Sequence, residues 1–133
     1  VGKNFLLTML RLMREREQLG VVADQVGCPT ATSGLARACW AVLEQGVSGV
    51  HHWSDAGAAS WYDFAVAIAE LGQEAGLLEN PARVNPIGTA DYPTPAQRPS
   101  YSLLDCVSTR EALQLPPLHW RAALRQVMAD VVA

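Results

Sequence analysis

The sequence predicts an α/β fold in which short strands alternate with helices. Three observations carry that reading. Apolar residues recur at helical spacing in several stretches, short apolar runs bounded by Gly, Asp or Pro stand between them, and the two kinds alternate along the chain instead of segregating. The length of 133 residues, half of them hydrophobic, suits one domain of ordinary size with one core.

Residues 4–18 place Phe5, Met9 and Met13 on one face beside Leu6 and Leu10, with Arg11, Arg14, Glu15 and Glu17 mostly opposite, an amphipathic helix ended by Gly20. Val21-Val22-Ala23 reads as a buried strand. Val26 to Thr30 reads as a turn, because Pro29 restricts Cys28 to extended geometry and Gly27 permits a tight bend. Thr32 or Ser33 caps a helix running to about Gln45, with Leu35, Ala36, Cys39, Val42 and Leu43 as its inward stripe and Gly46 as its stop. Residues 49–54 look like a strand. Ser60-x-x-Asp63 resembles a capping box for a helix over 61–74, with Phe64, Ala65, Ile68, Ala69 and Leu71 buried. A short strand over 82–88 carries Pro86, which assigns it to an edge. A loop with Pro93, Pro95 and Pro99 follows. Ser108-x-x-Glu111 opens a short helix, stopped by Pro116-Pro117, and Trp120 to Val131 forms the last helix, with Ala123, Leu124, Val127 and Val131 inward.

Composition excludes several chemistries. Lys3 is the only lysine, so a Gly-Lys-Ser/Thr phosphate loop is absent, and no Tyr-x-x-x-Lys pair exists because every tyrosine follows it. A net charge of −3 without a basic stripe gives nucleic-acid binding no support. No run approaches the length of a membrane span, and the N-terminal stretch lacks a signal-peptide layout. Cys28, Cys39 and Cys106 show no Cys-x-x-Cys spacing, which argues against structural zinc and disulfides and fits a reducing cytoplasm. His51 and His52 in a strand would face opposite sides and not share a metal. Trp53, Trp61 and Tyr62 are suited either to a core or to stacking on a base or sugar. Arg98 stands out, because a guanidinium on a proline-stiffened loop suits bidentate contact with phosphate oxygens.

Several runs together resemble one family. They are Asn4-Phe5 with Thr8-Met9-Leu10-Arg11-Leu12, then Asp24-Gln25-x-Gly27-x-Pro29-Thr30, Ser60-Trp61-Tyr62-Asp63-Phe64-Ala65, and Tyr92-Pro93-Thr94-Pro95-Ala96-x-Arg98-Pro99. In that order, over essentially the whole chain, they resemble the C-terminal half of the dTDP-4-dehydrorhamnose reductases, which are extended short-chain dehydrogenases/reductases with a Rossmann-like fold. The resemblance implies a parent enzyme that uses NAD(P)H to reduce the 4-keto group of a dTDP-6-deoxyhexulose, giving dTDP-L-rhamnose. The glycine-rich cofactor turn and the Tyr-x-x-x-Lys pair belong to the family's N-terminal half. The chain is therefore expected to bind no cofactor, to be inactive by itself, and to form the part that closes over the sugar nucleotide, with catalytic lysine upstream of Val1.

Residue by residue, the resemblance implies Arg98 as a diphosphate contact and Gln25 as a neighbour facing the same diphosphate. Asn4 either hydrogen-bonds in the sugar-nucleotide cleft or caps its helix. Residues 1–25 are expected to complete the sheet of the absent cofactor domain. The Phe5/Met9/Met13 face and the Val21–Ala23 strand, left without that domain, are expected to drive self-association. Some members of the family dimerise through a metal held by glutamates; Thr32-Ser33 stands where one such carboxylate falls, so no metal site is expected. Two other readings are a non-catalytic reductase-like interaction subunit and a different nucleotide-sugar reductase or epimerase.

Overall fold

The computed structural model describes residues 4–132. Helix α1 (Phe5–Glu15) buries Leu6, Met9, Leu10 and Met13, the stripe its spacing dictates. It ends at Arg16, whose extended backbone (φ −129°) leads into β1 (Gln18–Val22). Gly20 therefore does not stop the helix; it lies within the strand. A Cβ there would approach Ile87 on the neighbouring strand at 3.2 Å, so the missing side chain makes room for a packing partner.

β1 pairs in parallel with β4 (Arg83–Ile87), Gly20 opposite Asn85 and Val21 opposite Pro86. Everything between them is the crossover. β2 (Val26–Gly27) pairs antiparallel with β3 (Ala59–Ser60), so the stretch expected to turn at Gly27 is instead extended and hydrogen-bonded. Residues 49–54 form no strand. They run as a loop in which the His52 N–H donates to Thr109 Oγ1 and His51 Nε2 lies 3.0 Å from the Ser48 carbonyl oxygen.

Helix α2 (Thr32–Gln45) ends at Gly46 in the left-handed region (φ 64°), but its other two expected features are reversed. Neither Thr32 nor Ser33 caps it; Ala31 holds the N-cap position without a side-chain cap, and its N–H donates to Oδ2 of buried Asp55 at 2.9 Å. Its buried face is Gly34, Ala38 and Ala41; of the expected stripe Val42 is partly buried against them, while Leu35, Ala36, Cys39 and Leu43 are exposed together with Trp40. Packing is close at Gly34, where a Cβ would stand 3.1 Å from Asp55 Oδ1, while Ala38 and Ala41 pack with Leu113.

Helix α3 (Trp61–Glu74) occupies the expected range and has the expected capping box. The Asp63 N–H donates to Ser60 Oγ (3.0 Å) and the Ser60 N–H to Asp63 Oδ2 (2.8 Å). It is the central helix, packing on α1, on the β1–β4 pair and on α5 (Trp120–Val132). Ala65, Ala67 and Ile68 are fully buried there. In α5, Trp120, Ala123, Leu124 and Met128 are buried, whereas Val131, expected inward, is exposed. The short helix α4 (Val107–Leu113) begins one residue before Ser108, and Asp105 Oδ1, not Ser108, accepts its first N–H from Val107.

The face expected to lie open is covered. Met9 and Met13 are 8% and 1% exposed, Val21 and Val22 are buried, and β1 finds its parallel partner inside this chain. Self-association does not follow from that surface. Of residues 1–25, the first three lie outside the described residues, and the strand among the rest pairs here with β4.

Candidate functional site

Two adjoining clefts open on one side of the molecule. The larger, about 530 Å³, is walled by Gln25 to Thr30, by Ala59 to Trp61, and by Arg98, Pro99 and Ser102, with Phe5 and Phe64 at its base. The smaller, about 220 Å³, carries Asn4, Thr30 to Thr32 and the start of α5, and shares Phe5, Pro29, Thr30 and Phe64 with its neighbour. Gln25 and Arg98 thus meet in one cleft, although 73 positions in sequence separate them. Asn4 lines only the smaller one. Its Oδ1 accepts the Leu7 N–H at 2.9 Å, so capping, one of its two expected roles, is realised.

The proline-rich loop that carries Arg98 is tied to the 24–26 segment at both ends. At its start, a 3-10 turn (Thr89–Asp91), the Thr89 N–H donates to both oxygens of Asp24 at 3.0 Å and the Thr89 hydroxyl to Oδ1 at 2.7 Å. These bonds stabilise the charged carboxylate and hold the Asp24 pKa below its ordinary value. At its end, the Val26 N–H donates to the Ser100 carbonyl (2.9 Å) and the Ser102 N–H to the Val26 carbonyl (2.8 Å). Between these ties the Arg98 side chain is exposed, and among the described residues it makes no hydrogen bond or ion pair. A cation held at a cleft wall with its five donors unspent is suited to an anionic ligand.

Aromatic rings line the floor. The Phe5 ring lies 4.9 Å from Trp61 and 5.2 Å from Phe64 between centroids, and Trp61 is 47% exposed at the rim. Cys28 also lines the cleft, but its thiol donates to the Asp55 carbonyl at 3.0 Å, and burial, then nearby Asp55, raise its pKa. It is a poor nucleophile, as a packing role requires. Sequence reasoning missed Asp24 and Thr89. Their pairing joins positions 65 apart and leaves no local signal.

The comparisons with known proteins bear on this geometry. Residues 1–133 match the family model described as the RmlD substrate binding domain. The chain belongs to this family. A dTDP-4-dehydrorhamnose reductase of Aggregatibacter actinomycetemcomitans is 41% identical over 96% of the chain. A solved dTDP-4-dehydrorhamnose reductase of Clostridium acetobutylicum superposes with a TM-score of 0.90 at 34% identity over 99% of the chain. Another, of Bacillus anthracis in complex with NADP, gives 0.86 at 31% over 98%. The α/β architecture of this RmlD substrate-binding domain is therefore that of the reductases, whose C-terminal portion it matches. The chain spans 46%, 45% and 44% of those three proteins respectively, a little under half of each.

Proposed function

We propose that this domain is the substrate-binding part of an NAD(P)H-dependent dTDP-4-dehydrorhamnose reductase, which forms dTDP-L-rhamnose, a precursor of cell-surface polysaccharide. The observation that carries the reading is the convergence of Arg98 and Gln25 on one cleft with an exposed aromatic rim. Arg98 takes the substrate's diphosphate through paired N–H···O contacts. Gln25 lies beside it on the same substrate, and Asn4 holds the start of α1 at the neighbouring cleft.

The nicotinamide cofactor does not fit this chain's own elements. A dinucleotide pyrophosphate commonly takes a helix N-terminus behind a glycine-rich turn. Here the sequence places no glycine-rich turn before a helix, and the N-termini of α3 and α1 are already capped, by Ser60 with Asp63 and by Asn4. NAD(P)H belongs in this reading to the remainder of the parent protein. The domain alone turns over no NADPH. A cytoplasmic setting accords with Cys39 exposed and unpaired.

Titration of the domain with dTDP by calorimetry tests the proposal. Binding is expected, and Arg98→Ala should weaken it by about tenfold or more, the weight of a charge-assisted contact. Unchanged affinity in that variant removes Arg98 from the site.

A further inference from the structure

The hydrogen bonds around Thr89 decide which end of the Gln25 amide serves the cleft. The Thr89 hydroxyl lies 2.7 Å from Asp24 Oδ1 and 3.1 Å from Gln25 Nε2. A hydroxyl has one proton to give, and an ionised carboxylate can only accept. Asp24 therefore takes that proton, and Oγ1 meets Gln25 as an acceptor. Turning the amide over would set Gln25 Oε1 against Thr89 Oγ1, two oxygens with no proton between them. The relay thus commits the amide nitrogen to Thr89. Oε1 is left without an intramolecular partner among the described residues, on a side chain that lines the larger cleft. A diphosphate at neutral pH presents oxygens only, and a carbonyl oxygen has nothing to offer them.

We propose that Asp24 and Thr89 are positioning residues, which orient the Gln25 amide so that its carbonyl oxygen accepts an N–H or O–H from the nucleoside or sugar part of the ligand. Arg98 alone then faces the diphosphate. The inference rests on the reading of this cleft as a nucleotide-sugar site, and it reassigns Gln25 within it. Asp91 is the other carboxylate near the turn; its Oδ2 accepts the Gly88 N–H at 3.1 Å and so supports the backbone, not the amide.

Thr89→Val removes the hydroxyl and keeps the backbone N–H that ties the loop to Asp24, so the loop stays fastened while the amide is freed. Three probes are titrated into the domain: dTDP, inorganic pyrophosphate, and dTDP methylated at N3 of the base. Thr89→Val should weaken dTDP by about three- to tenfold, the range of one hydrogen bond, and leave pyrophosphate unchanged. Thr89→Ser should restore dTDP binding. Gln25→Ala should show the same loss, with little added in the Thr89→Val background, because the two residues act as one unit. If the N3-methylated nucleotide binds the wild-type domain weakly, the donor is the base N–H; if it binds normally, the donor is a sugar hydroxyl. Either result supports the proposal. Equal losses for dTDP and pyrophosphate in Thr89→Val, or no loss for either, overturn it while leaving the proposed function standing. Failure of the wild-type domain to bind dTDP or pyrophosphate overturns both.

Discussion

Asp24 lies at the surface, yet its bonds to Thr89 hold its carboxyl below the ordinary value of 3.8. A depressed carboxylate pKa means that the tie stabilises the folded state fully above the unfolded value and loses this contribution as pH falls through the folded one. The Thr89 amide resonance, followed by NMR, is accordingly expected to titrate with a midpoint below 3.8; a midpoint at or above it would mean that the carboxylate is not held. The same residues show how far the site was legible. Arg98 declared itself by chemistry, as a guanidinium in a loop stiffened by three prolines. The resemblance to known reductases pointed to Gln25, and included Asp24 only as its neighbour in the same run. What Asp24 does depends on a partner 65 positions away, and only folding brings that partner near.

Helix α3 was legible because its signal is local. Ser60 and Asp63 satisfy each other's backbone donors within one turn, and the helix starts where they place it. Asp63→Ala should cost about 1 kcal/mol of stability, read from denaturant midpoints. Helix α2 was read with its faces exchanged, since periodicity shows which side of a helix is apolar but not which side is covered. Its covered side is set by Asp55, which stands against Gly34, and by Leu113 and Trp53, which pack with Ala38 and Ala41. Two substitutions separate the readings. Leu43→Ser, on the exposed side, should change stability by no more than about 0.5 kcal/mol. Ala38→Leu, on the small buried side, should destabilise by about 1–3 kcal/mol through overpacking.

For the molecule as a whole, α1, β1, α3, β4 and α5 share one core around Met13, Ile68 and Met128. That core closes without help from another domain, contrary to the expectation that the α1 face would lie open. Alternating elements foretold the α/β class, but the number of residues that α3 would bring over α1 could not be read from α1 alone. Met13→Ala should therefore cost about 2–5 kcal/mol in this chain by itself, measured by denaturant unfolding. The same core fixes the relation between the two ends of the cleft, because β1 delivers Gln25 and β4 delivers the loop of Arg98 from one parallel pair. The most direct measurement is a titration of the domain with dTDP, followed residue by residue through backbone amide shifts. The account predicts saturable shifts concentrated at residues 25–30, 59–61 and 98–102, weakened about tenfold in Arg98→Ala. Shifts scattered away from this cleft, or an Arg98→Ala domain that binds as the wild type does, would contradict it.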